Sequence, residues 1–292
     1  MQTCPTVVCF GEVLWDSTPK GLFLGGAPTN VAYHLHRLGL RSLPVSAVGV
    51  DYLGKEILRR FAAWGISTVY IHSWPEVPTG VVQVDLSRPD NPSYDIVDNV
   101  AWDAIAETPD VVGECTSADA VVFGSLSLRH EHNEQLLDHL ISVAEGIKVF
   151  DVNLRPPYFD ALKVLALAKK ADLVKLNLDE LEILHPFAIG SIEVMAATFS
   201  EIIGNKQLCV TAGSMGAGFW DGNNWYWEDA RPIAPNGDAV GAGDAFLAAL
   251  ISHLIATRPA QDALENACRL AELVASSDGA QPLYDASLFA AH

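Results

Sequence analysis

Short apolar runs alternate along the chain with stretches in which apolar residues recur every three or four positions. Thr6 to Phe10 is an apolar, β-branched run closed by Gly11, which predicts a buried first strand. Val31, Leu35 and Leu38 follow Gly25-Gly26 and Pro28 and predict a helix stopped at Gly39. Leu43 to Val48 predicts a strand; Leu53, Ile57, Phe61 and Ala62 predict a second helix ending at Gly65. Further on, strands are expected at Ala120 to Phe123, Ile147 to Asp151, Leu173 to Lys175 and Gln207 to Thr211. Helices are expected between them at Glu131 to Ala144 and Asp160 to Ala171. Such alternation predicts a parallel sheet with helices on both faces. Near the end, Phe219 to Trp227 reads as a hairpin turning at Asp221-Gly222-Asn223-Asn224. Leu247, Leu250, Ile251, Leu254 and Ile255 mark one buried helix face, and Ala260 to Ser276 a last helix.

One stretch breaks this rhythm. From Thr68 to about Asp103 there is no helical period; Val69, Ile71, Val77, Val81, Val82, Val84 and Ile96 lie among Pro75, Pro78, Pro89 and Pro92. Short strands with proline turns predict a small β-sheet added to the α/β body.

The 292 residues give ample length for a full core, as one large α/β domain or two smaller ones. The net charge of −18, from 18 basic and 36 acidic residues, makes nucleic acid and anionic membranes unfavourable partners. Five cysteines with no Cys-x-x-Cys pair argue for reduced thiols in a cytoplasmic compartment, against a zinc site or disulfide frame. No leader-like segment opens the chain, and no apolar run approaches the ~20 residues of a membrane span.

Candidate chemistry centres on Asp238-Ala239-Val240-Gly241-Ala242-Gly243-Asp244, just ahead of the apolar helix. Small residues there let a ligand approach the backbone, and the first N–H groups of a helix form an anion cradle. Asp244 is ordinarily a helix-stabilising charge. Beside a phosphate it would repel the anion unless it accepts a proton from an attacking hydroxyl. Asp16, shortly after the first strand, lies where open α/β sheets bind ligands, or is a solvated loop acid. Asn30 and the second glycine of Gly25-Gly26 exceed what a helix start requires. Two loops at strand ends carry Asp151-Val152-Asn153-Leu154-Arg155 and Asn177-Leu178-Asp179-Glu180. Arg155 offers a planar fork for phosphate or carboxylate. Asn177 is a candidate N-cap, and Glu180 could hold the waters of a magnesium ion. His130-Glu131-His132, lacking a third nearby ligand, reads as a surface turn more readily than as a metal site.

Asp238 to Asp244 resembles the C-terminal signature of the ribokinase-like, or phosphofructokinase B, sugar kinases, with Ala239 where Thr is commoner. Gly25 to Asn30 resembles the family's N-terminal signature, and the two occur in the family's order. The resemblance spans the chain apart from a short tail. It implies one ribokinase-like domain over residues 1–292, a three-layer α/β/α body with a mostly parallel sheet. A β-lid would form from about residues 13–24 and 68–103. It also implies ATP and Mg2+, with Asp244 as catalytic base and the amides of Gly241, Ala242, Gly243 and Asp244 as anion hole. The sugar would meet Asp16, Gly26, Asn30 and Arg155, with Tyr94 and Trp102 as walls or as packed aromatics. The nucleotide and phosphates would meet Asn153, Asn177, Thr211, Gly213, Gly216 and Asn266; Met215 stands where a Lys is frequent. Glu180 would place Mg2+ through water. In relatives a monovalent cation such as K+ is common beside the anion hole, here at the carbonyls of Asp238 and Val240. Lids of this kind often make a homodimer contact. The lid segment and the Asp-x-Asn-x-Arg-Pro-Pro loop resemble fructokinases, implying fructose as substrate and fructose 6-phosphate as product. The alternatives are 2-keto-3-deoxygluconate, another sugar or nucleoside of the same family, or a non-catalytic sensor. A dinucleotide oxidoreductase is disfavoured because Gly11 is followed by Glu12-Val13-Leu14 rather than Gly-x-Gly-x-x-Gly.

Overall fold

The computed structural model describes residues 4–18, 21–85, 93–204, 206–232 and 239–289. The first third of the chain forms β1 (Thr6–Phe10), β2 (Leu14–Thr18), β3 (Gly21–Gly25), α1 (Ala27–Arg37), β4 (Arg41–Gly49), α2 (Tyr52–Trp64), β5 (Ile71–Trp74), β6 (Gly80–Asp85) and β7 (Ser93–Ile96). Then come α3 (Pro109–Ser117), β8 (Ala120–Gly124), α4 (Glu131–Val143), β9 (Ile147–Asp151), α5 (Ala161–Lys170), β10 (Leu173–Asn177), α6 (Leu178–Leu184) and α7 (Ile192–Ile202). The chain ends with β11 (Gln207–Thr211), β12 (Gly216–Trp220), β13 (Trp225–Asp229), α8 (Ala242–Ile255) and α9 (Ala260–Ala275).

Among the described residues, nine strands make one sheet in the order β13-β12-β11-β10-β9-β8-β1-β4-β5. Every neighbouring pair from β11 to β5 is parallel, and β12 and β13 are added antiparallel. The chain winds outward from β1 through β4 to β5, then returns to β8 on the other side of β1. Such a reversal opens a crevice at the carboxyl ends of the strands, the usual ligand position in open α/β sheets. β1 shows why both faces are covered. Val7 and Cys9 pack among residues of α1, α2, α8 and α9, while Val8 and Phe10 pack among those of α3, α4, α5 and α7. Side chains alternate along a strand, so an unbroken apolar run needs a helix layer on each side. The three-layer architecture follows.

Two local details differ from expectation. In α8, every residue from Asp244 to His253 is buried, not one stripe. That helix is flanked by α1 and α9, and the small Ala245, Ala248 and Ala249 admit both neighbours. Neither α3 nor α7 is among the expected helices, although Ile192, Met195, Ala196 and Phe199 of α7 do carry the helical period. α3 buries only Val111 and Cys115, too few to leave a period in the sequence.

A second sheet has the order β3-β2-β6-β7 among the described residues. Ile71–Trp74, expected in this sheet, instead extends the large one beside β4. There Val50 N donates to Trp74 O at 2.9 Å, and Trp74 Nε1 to Ala104 O at 2.8 Å. Leu14, Val82, Ile96, Val100, Trp102 and Leu126 form the cluster beneath the small sheet. Trp102 is 1% exposed, with the Arg129 guanidinium 4.1 Å from its ring centroid. Of the two expectations for Trp102, sugar wall or packed aromatic, this structure has the packed ring, covered by Arg129 and the small sheet. Tyr94 lies on β7 opposite Val84, but its side chain is outside the described residues. No described helix is long and apolar enough to cross a membrane.

Candidate active site

Two helix starts meet at the crevice. α8 begins after Gly241, whose φ of 76° is left-handed and whose added Cβ would stand 2.4 Å from that of Ala280. Only glycine fits both demands. The amides of Gly243 and Asp244, in the first turn, have no acceptor one turn back inside the helix. α1 begins after Gly26, where φ is 104° and a Cβ would meet the Glu12 carbonyl oxygen at 2.4 Å. This close approach places Asn30 opposite Asp244. Asn30 Nδ2 donates to Asp244 Oδ2 at 2.7 Å, joining residues 214 positions apart. Asp244 Oδ1 accepts no hydrogen bond among the described residues.

Around this pair the charges are mostly acidic. Glu12 is buried; Oε1 accepts from Ala27 N at 3.2 Å and Oε2 has no partner among the described residues. Burial pushes its carboxyl up to about 7, opposed by its backbone hydrogen bonds and by Arg155. Asp16 lies on β2, and its Oδ2 is so near Gly25 that a Cβ there would stand 2.2 Å away. Burial pushes the Asp16 carboxyl up to about 6, again opposed by Arg155. Asp244 is likewise raised, first by burial and then by Asp151, against Lys175, Asn30 and Arg155. Arg155 is exposed on the loop after β9, and among the described residues it makes no ion pair within 4 Å; Nη1 donates to Leu154 O at 3.0 Å.

The neighbouring loops are locked together by Glu180. Its Oε1 accepts from Leu154 N at 2.8 Å and its Oε2 from Asn177 N at 2.9 Å, while Asn177 Oδ1 accepts from Glu180 N at 2.8 Å. Each carboxylate oxygen retains one lone pair. That donor set suits an outer-sphere role toward a hydrated Mg2+, which gives up its waters reluctantly, better than direct ligation. Asn153, in the same loop, adopts φ 42°. Asp238 lies outside the described residues, and Val240 is 48% exposed just before the α8 start.

Thr211 ends β11 beside Asn177 of β10, and the turn after it contains Gly213 and Gly216. Gly216 is obligatory: at φ 131°, a Cβ would stand 2.1 Å from Glu228 O. Asn266 lies on α9, which packs on β12 and β13; its Nδ2 donates to Asp262 O of its own helix at 2.9 Å. His130 and His132 do not converge, one contacting Asp98 Oδ1 at 2.6 Å and the other Ile105 O at 2.8 Å.

Sequence reasoning missed four residues here. Glu12 carries no local signal beyond its place after β1. Lys175 is legible only as a charge inside an apolar strand; its Nζ donates to Asp151 Oδ1 at 2.9 Å, and both are buried. Gln281 belongs to a tail without a motif, yet its Nε2 donates to Leu24 O at 3.0 Å and to Asn30 Oδ1. The same tail sets Tyr284 Oη 3.0 Å from His34 Nδ1.

Residues 17–286 match the family profile described as pfkB family carbohydrate kinase. The chain belongs to that family. As a pfkB carbohydrate kinase it is a phosphotransferase with an alcohol group as acceptor. It is 30% identical over 242 residues to a sugar kinase of Pyrococcus horikoshii, covering 79% of this chain and 73% of that one. Fructokinase-1 of Oryza sativa subsp. japonica is 26% identical, with 94% of this chain and 93% of the relative covered. Among solved structures, fructokinase from Vibrio cholerae O395 with fructose, ADP and calcium superimposes with a TM-score of 0.81 at 23% identity. That alignment covers 95% of this chain and 94% of the other and bears on the fold alone.

Within this pfkB kinase, Asp16 is the member of the acidic group set on the small sheet. Asp16→Ala is expected to weaken sugar binding by ~1.5–3 kcal/mol, the scale of a hydrogen bond to a charged group. Isothermal titration with sugar and with ATP separates the two halves of the site. Unchanged sugar affinity with weakened ATP binding would move Asp16 to the nucleotide side.

Proposed function

We propose that this protein transfers the γ-phosphate of ATP to D-fructose, giving fructose 6-phosphate. The observation that carries the reading is the Asn30–Asp244 contact, which joins the sugar-facing helix start to the carboxylate at the anion cradle. Asp244, whose Oδ1 accepts no bond among the described residues, draws off the hydroxyl proton as the hydroxyl attacks. The first-turn amides of Gly243 and Asp244 answer the negative charge gathering on the phosphoryl group. Asp16 and Asn30 orient the sugar, while Asn153, Asn177, Thr211, Gly213, Gly216 and Asn266 line the nucleotide side. A bound Mg2+ would supply charge neutralisation on the phosphates, with Glu180 holding its waters. A K+ ion at the Asp238 and Val240 carbonyls and a homodimer through the small sheet complete the proposal. The edge strand β3 of that sheet leaves Leu22 47% and Phe23 39% exposed.

The choice of a neutral sugar rests on charge. Glu12, Asp16 and Asp244 all feel Arg155, so one guanidinium already answers three carboxyl groups. A sugar acid would add a fourth. That Arg155 makes no ion pair within 4 Å among the described residues favours the second reading, 2-keto-3-deoxygluconate, whose carboxylate the guanidinium could receive. A coupled assay of ADP release across neutral sugars and sugar acids decides between them. Fructose is expected to give the highest kcat/KM; a clearly higher value for 2-keto-3-deoxygluconate would overturn the assignment.

A further inference from the structure

Lys175 stands in β10 between Val174 and Leu176, both fully buried, and is itself 7% exposed. It lies directly opposite Asp151 in the register of β10 with β9, and its Nζ donates to Asp151 Oδ1 at 2.9 Å. Lysine is rarely buried so deeply. Stability alone does not account for such a pair, because well-packed apolar residues of similar volume commonly serve as well or better. Two observations connect it to the reacting centre. A Cβ built on Gly243 would stand 3.1 Å from Lys175 Nζ, so the ammonium lies against the residue preceding Asp244. Asp151 Oδ2 is buried with no hydrogen-bond partner among the described residues, so the carboxylate is bound only on its lysine side.

We infer that Asp151 and Lys175 form the charge-setting pair of the phosphoryl-transfer centre: Asp151 pins the ammonium against Gly243, and the ammonium holds Asp244 ionised. The inference rests on the reading of Asp244 as the base. Among the described residues, the charged groups facing Asp244 are Asp151 from β9, Lys175 from β10, Arg155 from the loop after β9 and Glu12 from the loop after β1; α1 presents the neutral amide of Asn30. Burial and Asp151 raise the carboxyl, whereas Lys175, Asn30 and Arg155 lower it. Burial would by itself discharge the lysine, but Asp151, Asp244 and Glu180 more than offset that and raise its pKa, so the ammonium persists. Both members are positioning residues: Asp151 holds the ammonium, and the ammonium both keeps Asp244 ionised and faces the Gly243 end of the anion cradle, where phosphoryl charge grows.

The signs are opposite for the two members, which makes the pair testable. Asp151→Asn removes a negative charge and leaves Asp244 and Glu180 to hold the ammonium, so the acidic limb of kcat/KM should move down by about 1 pH unit. Adding Lys175→Met to that variant removes the opposing charge, and the limb should move back up by a similar amount. Relative to wild type, the double variant should also lose ~10-fold or more in kcat with little change in sugar KM, because the lost charge acts as the phosphoryl group transfers. A second readout needs no turnover. Carbon-13 titration of the aspartate carboxyls in the free protein, with Asp244→Asn assigning the signal, follows Asp244 through the same variants.

The same downward and upward order in the Asp244 midpoint supports the pair even if no sugar is phosphorylated, an outcome that would remove the kinase reading alone. A midpoint that stays put in both variants overturns the pair, whatever happens to melting temperature. Should Asp151→Asn fail to fold, the uncharged double variant against wild type still decides. Loss of kcat at unchanged KM supports the inference, and unchanged kcat overturns it.

Discussion

Asp244→Asn is expected to bind nucleotide and sugar and to lose at least ~100-fold in turnover, the low end for a positioned general base. The substitution keeps the shape of the first turn of α8 and removes the only group there that can accept the hydroxyl proton. Asn30 already donates to Oδ2, and an amide in its place could turn an NH2 group toward the Asn30 NH2 group. Ground-state binding through the first-turn backbone amides of α8 would persist, because a side-chain change leaves those N–H groups unaltered. The pH dependence has a definite sign. A base works unprotonated, and burial lifts the Asp244 carboxyl above the ordinary aspartate range. Activity in the wild type should therefore fall as pH drops through that raised value, and the variant's residual activity should lose this limb. Steady-state kinetics of purified protein from mildly acidic to neutral pH check both. Turnover within a few-fold of wild type would show that Asp244 is not the base.

The second large effect is expected at Arg155, where fructose and a sugar acid give different results. With fructose there is no substrate carboxylate, so the guanidinium answers charge that grows on the transferring group. Arg155→Ala should then lower kcat by ~100-fold, the scale of one lost donor at a developing anion, and raise KM much less. With 2-keto-3-deoxygluconate the arginine–carboxylate bond exists before chemistry begins. The same change would then raise KM for the acid, and neutral sugars would be poor substrates for the wild type. Arg155→Lys sharpens the contrast, since a point charge cannot reproduce a bidentate fork. Removing Arg155 also withdraws a cation that lowers Glu12, Asp16 and, beside Lys175, Asp244, so the acidic limb should shift upward in pH. Initial rates for both substrates with wild type and the two variants separate these outcomes; a KM-dominated loss on fructose would contradict the assigned role.

By itself the sequence determined the class of fold and the chemistry of the two glycine-flanked helix starts. These are local matters. β1 is apolar at every central position because both faces are covered, and Gly26 and Gly241 are glycines because φ is positive and a Cβ would collide. Such demands are written into adjacent residues, and so is the capping box of Asn177 and Glu180. Only the tertiary structure decided which of these pieces meet. Asn30 reaches Asp244 across 214 residues and Gln281 reaches Asn30 across 251, distances over which spacing carries no signal. Neighbours likewise decided that Ile71–Trp74 extends the large sheet and that α8 is buried on all sides. Trp102 became a packed ring rather than an open wall because Arg129 and the small sheet cover it. Lys175 is the sharpest case: as a residue it is one charge in an apolar strand, and its meaning comes from Asp151 on the adjacent strand and Gly243 on a distant helix. Charge acts through space rather than along the chain, so the electrostatics of this site became legible only once the strands were side by side.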